Sequence, residues 1–348
     1  MVVSYDAILL ASFGGPEGQA DVIPFLKNVT RGKGIPEERL EEVAVHYRHH
    51  GGVSPINAQN RDLKAALEAE LARQGIDLPV YWGNRNWNPY FTDALRELHA
   101  DGKRDVLVIV TSAYTSYSGV GQYREDFERA LDDTGLRGEV RISRIREFFD
   151  HPGFITPFVE GVRAALDELA DAANTHVMFV THSIPTAAAT ESGPEYGEGG
   201  AYEAQHRAAA DAILRAVGTD APHSLVYQSR SGSPSTPWLE PDINDAIAQL
   251  DGVDGLVIVP IGFVSDHMEV LWDLDNEAME SAGENSIRAV RVPTPGIHPA
   301  FVSGLVDLLR ERIDEVPAAE RPHESPLGPW PDHPAQGAAL DAVVTNSR

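Results

Sequence analysis

Apolar residues gather in eight short runs, at 5–12, 78–83, 105–112, 139–145, 175–183, 223–229, 255–263 and 287–292. Runs of this length, near-continuous and rich in β-branched residues, predict strands buried on both faces. The segments between them follow a 3.6-residue period, as in Leu63, Ala66, Leu67 and Leu71, or Leu305, Leu308 and Leu309, and predict helices. Strand and helix therefore alternate, the mark of an α/β protein with doubly wound parallel sheets. Two similar sets of four runs predict two domains facing each other across a cleft. Asp150, His151, Pro152 and Gly153 break the pattern, so the boundary is set near 148–154, giving domains 1–150 and 151–316. From Pro317 periodicity is lost among five prolines (Pro322, Pro326, Pro329, Pro331 and Pro334), which predicts a mobile tail over 317–348.

The stretch 260–277, PIGFVSDHMEVLWDLDNE, changes an apolar strand into a burst of charge. Counted from Asp266, the acids Glu269, Asp273 and Glu277 follow a three-then-four spacing that aligns them on one face of an α-helix. Such a column is either solvated or there to hold a cation. Asp266 also reads as a helix N-cap, with Glu269 completing a capping box. The strand 255–263 delivers Ser265, Asp266 and His267 at its carboxyl end, where ligands bind in open parallel sheets. The strand 175–183 presents His182 in the same way. A parallel sheet can bring His182 and Glu269 to one cleft.

Composition narrows the chemistry. Zero cysteines exclude disulfides, thiolate zinc sites, cysteine nucleophiles and cysteine-ligated iron–sulfur clusters. A net charge of -25 argues against nucleic acid or an anionic membrane as partner, and an anionic substrate would need a local basic lining. No apolar run reaches membrane-spanning length, and the start MVVSYDAILLAS reads as a first strand without a signal peptide, so a cytoplasmic protein is expected. The turn at 12–17, SFGGPE, lacks dinucleotide-loop spacing, and Ser183 lies outside a nucleophile elbow. Arg31, Lys33 and Arg48 are donors for carboxylates or phosphates, or else solvated surface cations. WGNRNWNP from Trp82 and YTSYSGVGQY from Tyr114 put aromatics at strand ends, where a flat apolar ligand with polar edges could lie.

Together these segments resemble the ferrochelatase family. The matching pieces are LLASFGGPE from Leu9, GGVSPIN from Gly51, GNRNWNP from Gly83, TSAYTSYSGVGQYRE from Thr111, FVTHSIP from Phe179, YQSRSGSPSTPWLEP from Tyr227 and PIGFVSDHMEVLWDLD from Pro260. They cover about residues 5 to 315. The resemblance implies two Rossmann-like domains, each a roughly four-stranded parallel sheet flanked by helices. It implies insertion of ferrous iron into a porphyrin in the cleft between them, with iron as substrate and no organic cofactor. By position, His182 and Glu269 become the catalytic pair at the metal, and Asp273 and Glu277 a second set that leads hydrated metal inward. The chemistry agrees. Metallation removes pyrrole protons and exchanges a hydrated ion's waters for ring nitrogens, so it needs a base on the ring face and ligands that let go. Imidazole and carboxylate do both, whereas thiolates hold iron too tightly. The roles of base and metal donor stay open between His182 and Glu269.

Departures from the family refine the expectation. Position 13 is Phe where some bacterial relatives carry a Tyr able to contact iron. Many relatives hold an iron–sulfur cluster on cysteines, which this chain lacks. It also lacks the long C-terminal extension and apolar membrane lip of the animal type, and so resembles the soluble bacterial branch that metallates coproporphyrin III. That substrate has four propionates, and Phe13, Arg31, Lys33, Arg48, Ser54, Tyr123 and Arg124 are the expected substrate-binding residues. A monomer is expected, with haem-pathway enzymes as transient partners. The alternatives are protoporphyrin IX as substrate, a cobalt or nickel chelatase, a non-catalytic tetrapyrrole carrier, and a nucleotide-binding oxidoreductase. The last lacks a dinucleotide fingerprint.

Overall fold

The computed structural model describes residues 4–32, 34–230 and 235–337; Lys33 and residues 338–348 of the expected tail lie outside the described residues. All eight expected strands form: β1 Ala7–Ser12, β2 Val80–Asn84, β3 Asp105–Val110, β4 Arg141–Arg144, β5 Thr175–His182, β6 His223–Gln228, β7 Gly255–Val259 and β8 Arg288–Arg291. The first half carries α1 Val22–Val29, α2 Glu37–His49, α3 Ile56–Arg73, α4 Phe91–Ala100 and α5 Gln122–Thr134. The second carries α6 Pro152–Glu168, α7 Thr186–Glu191, α8 Gly200–Val217, α9 Ile243–Ala248, α10 Met268–Val270, α11 Met279–Glu284 and α12 Pro299–Ile313.

The strands make two four-stranded parallel sheets, ordered β2-β1-β3-β4 and β6-β5-β7-β8. The same winding therefore occurs twice. In each, the order reverses between the two central strands, β1 and β3 or β5 and β7, and there a crevice opens beyond their carboxyl ends. Alternation along the strands explains the layers. Ile8 and Leu10 of β1, Val177 and Phe179 of β5, and Val257 and Val259 of β7 share one continuous core. Ala7, Leu9 and Ala11 face a second core under α4 and α5, and Met178, Val180, Leu256 and Ile258 a third. In the shared core, α12 packs on α3 and α6, and α6 on α8.

Helices α1 and α2 form a cap with a small core of its own: Val22, Phe25, Leu26, Leu40, Ala44 and Tyr47, joined by Met268 of the second half. The chain leaves α2 through Gly52, whose φ of +81° favours glycine and whose Cβ position lies 2.5 Å from the Gln19 nitrogen. The two halves are tied directly. Tyr114 donates its hydroxyl to the Ile261 carbonyl (3.0 Å), Gln205 exchanges two hydrogen bonds with Thr115, and Gln59 exchanges two with the backbone of Asp266.

Residues 318–337 of the segment expected to be a mobile tail lack a repeating pattern and meet the rest of the protein through individual contacts. Ser325 donates to the buried Asp150 (3.0 Å), His333 meets the buried Glu147 (2.7 Å), and Gln336 pairs through its backbone with Ile142 on the free edge of β4. Arg146 is fully buried, binds Glu311 with two nitrogens and reaches the Pro322 carbonyl at 2.8 Å. Among the described residues no helix is long and apolar enough to cross a membrane.

Candidate active site

β5 ends at His182, and its neighbour β7 runs into the loop 260–267 that leads to Glu269, so both residues stand over the reversal point of the second sheet. The Nε2 of His182 lies 3.8 Å from Glu269 Oε2, and the two side chains are 31% and 48% exposed. On the other edge of the ring, Nδ1 meets the Ser183 carbonyl. A carbonyl only accepts, so the neutral ring carries its proton on Nδ1 and turns the Nε2 lone pair toward Glu269. The carbonyl of His182 is fixed in turn by the Tyr202 hydroxyl, at 2.9 Å. This pair is partly exposed, and among the described residues no lysine or arginine forms an ion pair with Glu269.

The turn before Glu269 differs from the capping box expected. His267 is the N-cap, its Nδ1 accepting from the Glu269 nitrogen at 3.2 Å. Asp266 instead pairs with Arg291 at 2.9 Å. Burial pushes the His267 pKa below its usual value, against the opposing pull of Glu269, which suits a neutral ring that accepts. Beyond α10 the chain winds as a π-helix over Leu271–Ala278 and not as the α-helix the spacing predicts. The wider turn still projects Asp273 and Glu277 near one another, since four residues come close to one turn in either geometry.

Asp273 is the inner of the two. It accepts from Ser229 Oγ and, at 3.2 Å, from Gln228 Nε2, which also holds the Glu269 carbonyl. Burial pushes its pKa up to about 7; the Ser229 bond opposes the shift, and Glu269, Glu277 and Asp242 add to it. Glu277 is exposed and takes the Trp272 indole N–H at 2.8 Å. Gln228 and Ser229 were not singled out from the sequence, and the only signal for them is that two polar residues close the β6 run. Among the described residues no group of three or more metal-ligating side chains is close enough to hold an ion, and His182 and Glu269 stand as a pair.

The substrate residues expected from the sequence separate into distinct places. Phe13, 38% exposed, follows β1 at the reversal point of the first sheet and sits edge-on to Phe25 at 6.3 Å. Arg31 is bonded to Asn28 at 2.7 Å and lines a cavity of about 520 Å³ with Arg85, Asn86, Tyr90 and Gln122. Arg48 pairs with Glu41 at 2.7 Å. Ser54 and Tyr123 are each only 4% exposed. The Tyr123 ring is packed between Phe91 and Phe127 with the Arg85 guanidinium 3.8 Å above it, because its position on α5 faces the core. Arg124 is exposed, and its carbonyl accepts from Gln336. Arg85 was not singled out as a cation, although it lies inside the GNRNWNP segment.

With this geometry in place, comparison with known proteins gives a consistent result. The ferrochelatase family model matches residues 5–313. A coproporphyrin III ferrochelatase of Leifsonia xyli is 62% identical over 95% of this chain and 90% of its own. One from Streptomyces griseus is 54% identical over 94% and 91%, and a protein of Rhodopirellula baltica named ferrochelatase is 49% identical over 97% and 93%. Among solved structures, the sirohydrochlorin chelatase of Bacillus subtilis subspecies spizizenii, in complex with cobalt, shares the fold at a TM-score of 0.51 and 12% identity, covering 91% of this chain and 98% of its own. A match over nearly the whole folded length, with relatives at more than half identity, leaves one conclusion: the chain belongs to the ferrochelatase family.

Proposed function

We propose that the protein inserts ferrous iron into coproporphyrin III, giving coprohaem in haem biosynthesis, with His182 and Glu269 acting on the ring face. The observation that carries this reading is His182 Nε2 standing 3.8 Å from Glu269 Oε2 over the reversal point, with Nδ1 on the Ser183 carbonyl. A lone pair there can accept a pyrrole proton, and the adjacent carboxylate stabilises the imidazolium that forms. Gln228 and Ser229 hold Asp273 behind the pair, where a carboxyl that titrates near neutrality exchanges protons and hydrated metal without trapping either. Residues 1–150 supply the cleft wall with Phe13 and Arg31, and 151–316 the metal-insertion residues. With no cysteine, no thiolate-ligated cluster takes part. We read the protein as a cytoplasmic monomer.

His182→Ala tests the site. Insertion of ferrous iron should be abolished while porphyrin binding, followed by fluorescence quenching, stays within a few fold; substantial turnover by the variant would sink the assignment. The substrate is tested separately. Two additional propionates call for cationic donors, and a charge-assisted hydrogen bond contributes roughly 1.5 to 3 kcal/mol. The ratio of kcat/KM for coproporphyrin III over protoporphyrin IX should exceed one and shrink in Arg31→Ala. Equal or better turnover of protoporphyrin IX in controlled detergent would refute the substrate and leave the reaction standing.

A further inference from the structure

Three histidines close the last turn of α2, in the sequence HYRHH. Their rings gather around one side chain on the opposite wall, Trp272 of the π-helix. The His46 imidazole lies parallel to the indole, 8° and 4.2 Å away, and the rings of His49 and His50 stand edge-on at 5.7 and 6.3 Å. The indole N–H, held by this clamp, donates to Glu277 Oε1 at 2.8 Å. Donor and acceptor are five residues apart, and a π-helix stacks residues at that interval, so the bond depends on the local winding. One carboxylate oxygen is thereby fixed, and the other takes no hydrogen bond among the described residues. The clamp sits on the α1–α2 cap, which otherwise meets this segment at Met268, so the cap touches the metal-bearing chain on both sides of Glu269.

We propose that Trp272 is a positioning residue for Glu277, aimed by His46, His49 and His50, so that the outer carboxylate is set to receive a hydrated divalent cation only while the α1–α2 cap is seated. The proposal rests on the iron-insertion reading of the site and adds to it a coupling between the tetrapyrrole side of the cleft and the metal side. A rigid two-ring stack suits this task, since an indole has few torsions to lose and a parallel imidazole excludes its alternative orientations. Neither His46 nor Trp272 touches the reacting atoms.

Five variants decide the matter: Trp272→Phe, which keeps a stacking ring and removes the N–H; Glu277→Gln; the two combined; and His46→Ala beside His46→Phe. Trp272→Phe should raise the KM for ferrous iron about threefold to tenfold, the worth of one hydrogen bond, with kcat and porphyrin affinity within about twofold. Glu277→Gln should act in the same direction, and the double variant should be no worse than the poorer single. His46→Ala should resemble Trp272→Phe, and His46→Phe should restore the iron KM. Multiplying single effects, a change in porphyrin affinity instead of iron KM, or no rescue by His46→Phe would each overturn the positioning role. Calorimetric titration of the porphyrin-free protein with cobalt(II) separates this from the wider reading. Both variants should weaken cobalt binding even if wild-type insertion failed, Trp272→Phe by no more than Glu277→Gln, and cobalt affinity unchanged in Trp272→Phe would overturn the proposal by itself.

Discussion

His206 and His151 show what burial does to a single ring. His206 is fully buried, stacked on Tyr114 at 3.5 Å, with Nδ1 on the Tyr202 carbonyl and burial holding its pKa down to about 3. His151 caps α6 through Gly153 and is also held to about 3, by burial and then by the positive charge of Arg146. In the unfolded chain both would titrate near 6.5, so below that pH the unfolded state binds protons that the folded state refuses. Stability is therefore present above about 6.5 and lost as pH falls toward 3, by up to about 2.7 kcal/mol per pH unit from the two rings together. Urea unfolding at pH 7 and pH 5.5 should show this fall, and His206→Gln should flatten it by one proton; an unchanged slope would contradict the assignment. The sequence gives no sign that either ring is buried: His206 lies in an alanine-rich helical run, and His151 reads only as part of the break at 150–153. His182 and Glu269 did stand out, since each follows an apolar run at the point where charge or hydrogen-bonding groups resume. The burial of Tyr123 was hidden for a related reason: its place beside Arg124 in a recognisable segment says nothing of which side of α5 faces the core.

The strands were legible element by element because a parallel strand buried on both faces must be apolar throughout, and helices then show by contrast in period. The π-helix was not. Over the eight residues of Leu271–Ala278, i+4 and i+5 windings fit the same acids and apolar residues, and Leu274 and Ala278, buried in the third core, are four apart and suit either. The segment from Pro317 was hidden for the opposite reason, having contacts but no period. Its value can be measured by ending the chain after Val316. Glu147 would lose His333 and keep Arg144, and Asp150 would lose Ser325 and keep Arg146, so each buried carboxylate would forfeit one hydrogen bond, at about 1 to 3 kcal/mol. The shortened chain should unfold at lower denaturant with its Ile142 amide open to hydrogen exchange. Unchanged stability together with a protected Ile142 amide would show that the segment only decorates the surface.

Across the whole molecule, net charge and core arrangement pull in different directions. A charge of -25 repels itself and keeps copies apart, and the same field draws cations toward the cleft mouth. The core counters that repulsion by running unbroken from Leu67 and Leu107 through Phe148, Phe149 and Phe154 to Phe179 and Val257, so one face of each sheet is buried against a single shared filling. The doubled winding, with the same strand order in each half, invites the idea of two independent units joined at residue 150. The continuous filling implies otherwise for melting. A half cut free would turn Tyr114, Phe148 and Phe149, or Phe154 and Phe301, toward water, and neither half owns enough of the filling to hold its sheet closed. Scanning calorimetry should accordingly give one endotherm whose van 't Hoff and calorimetric enthalpies agree, and a fragment ending at residue 150 should show native-like far-UV ellipticity without a sigmoidal transition.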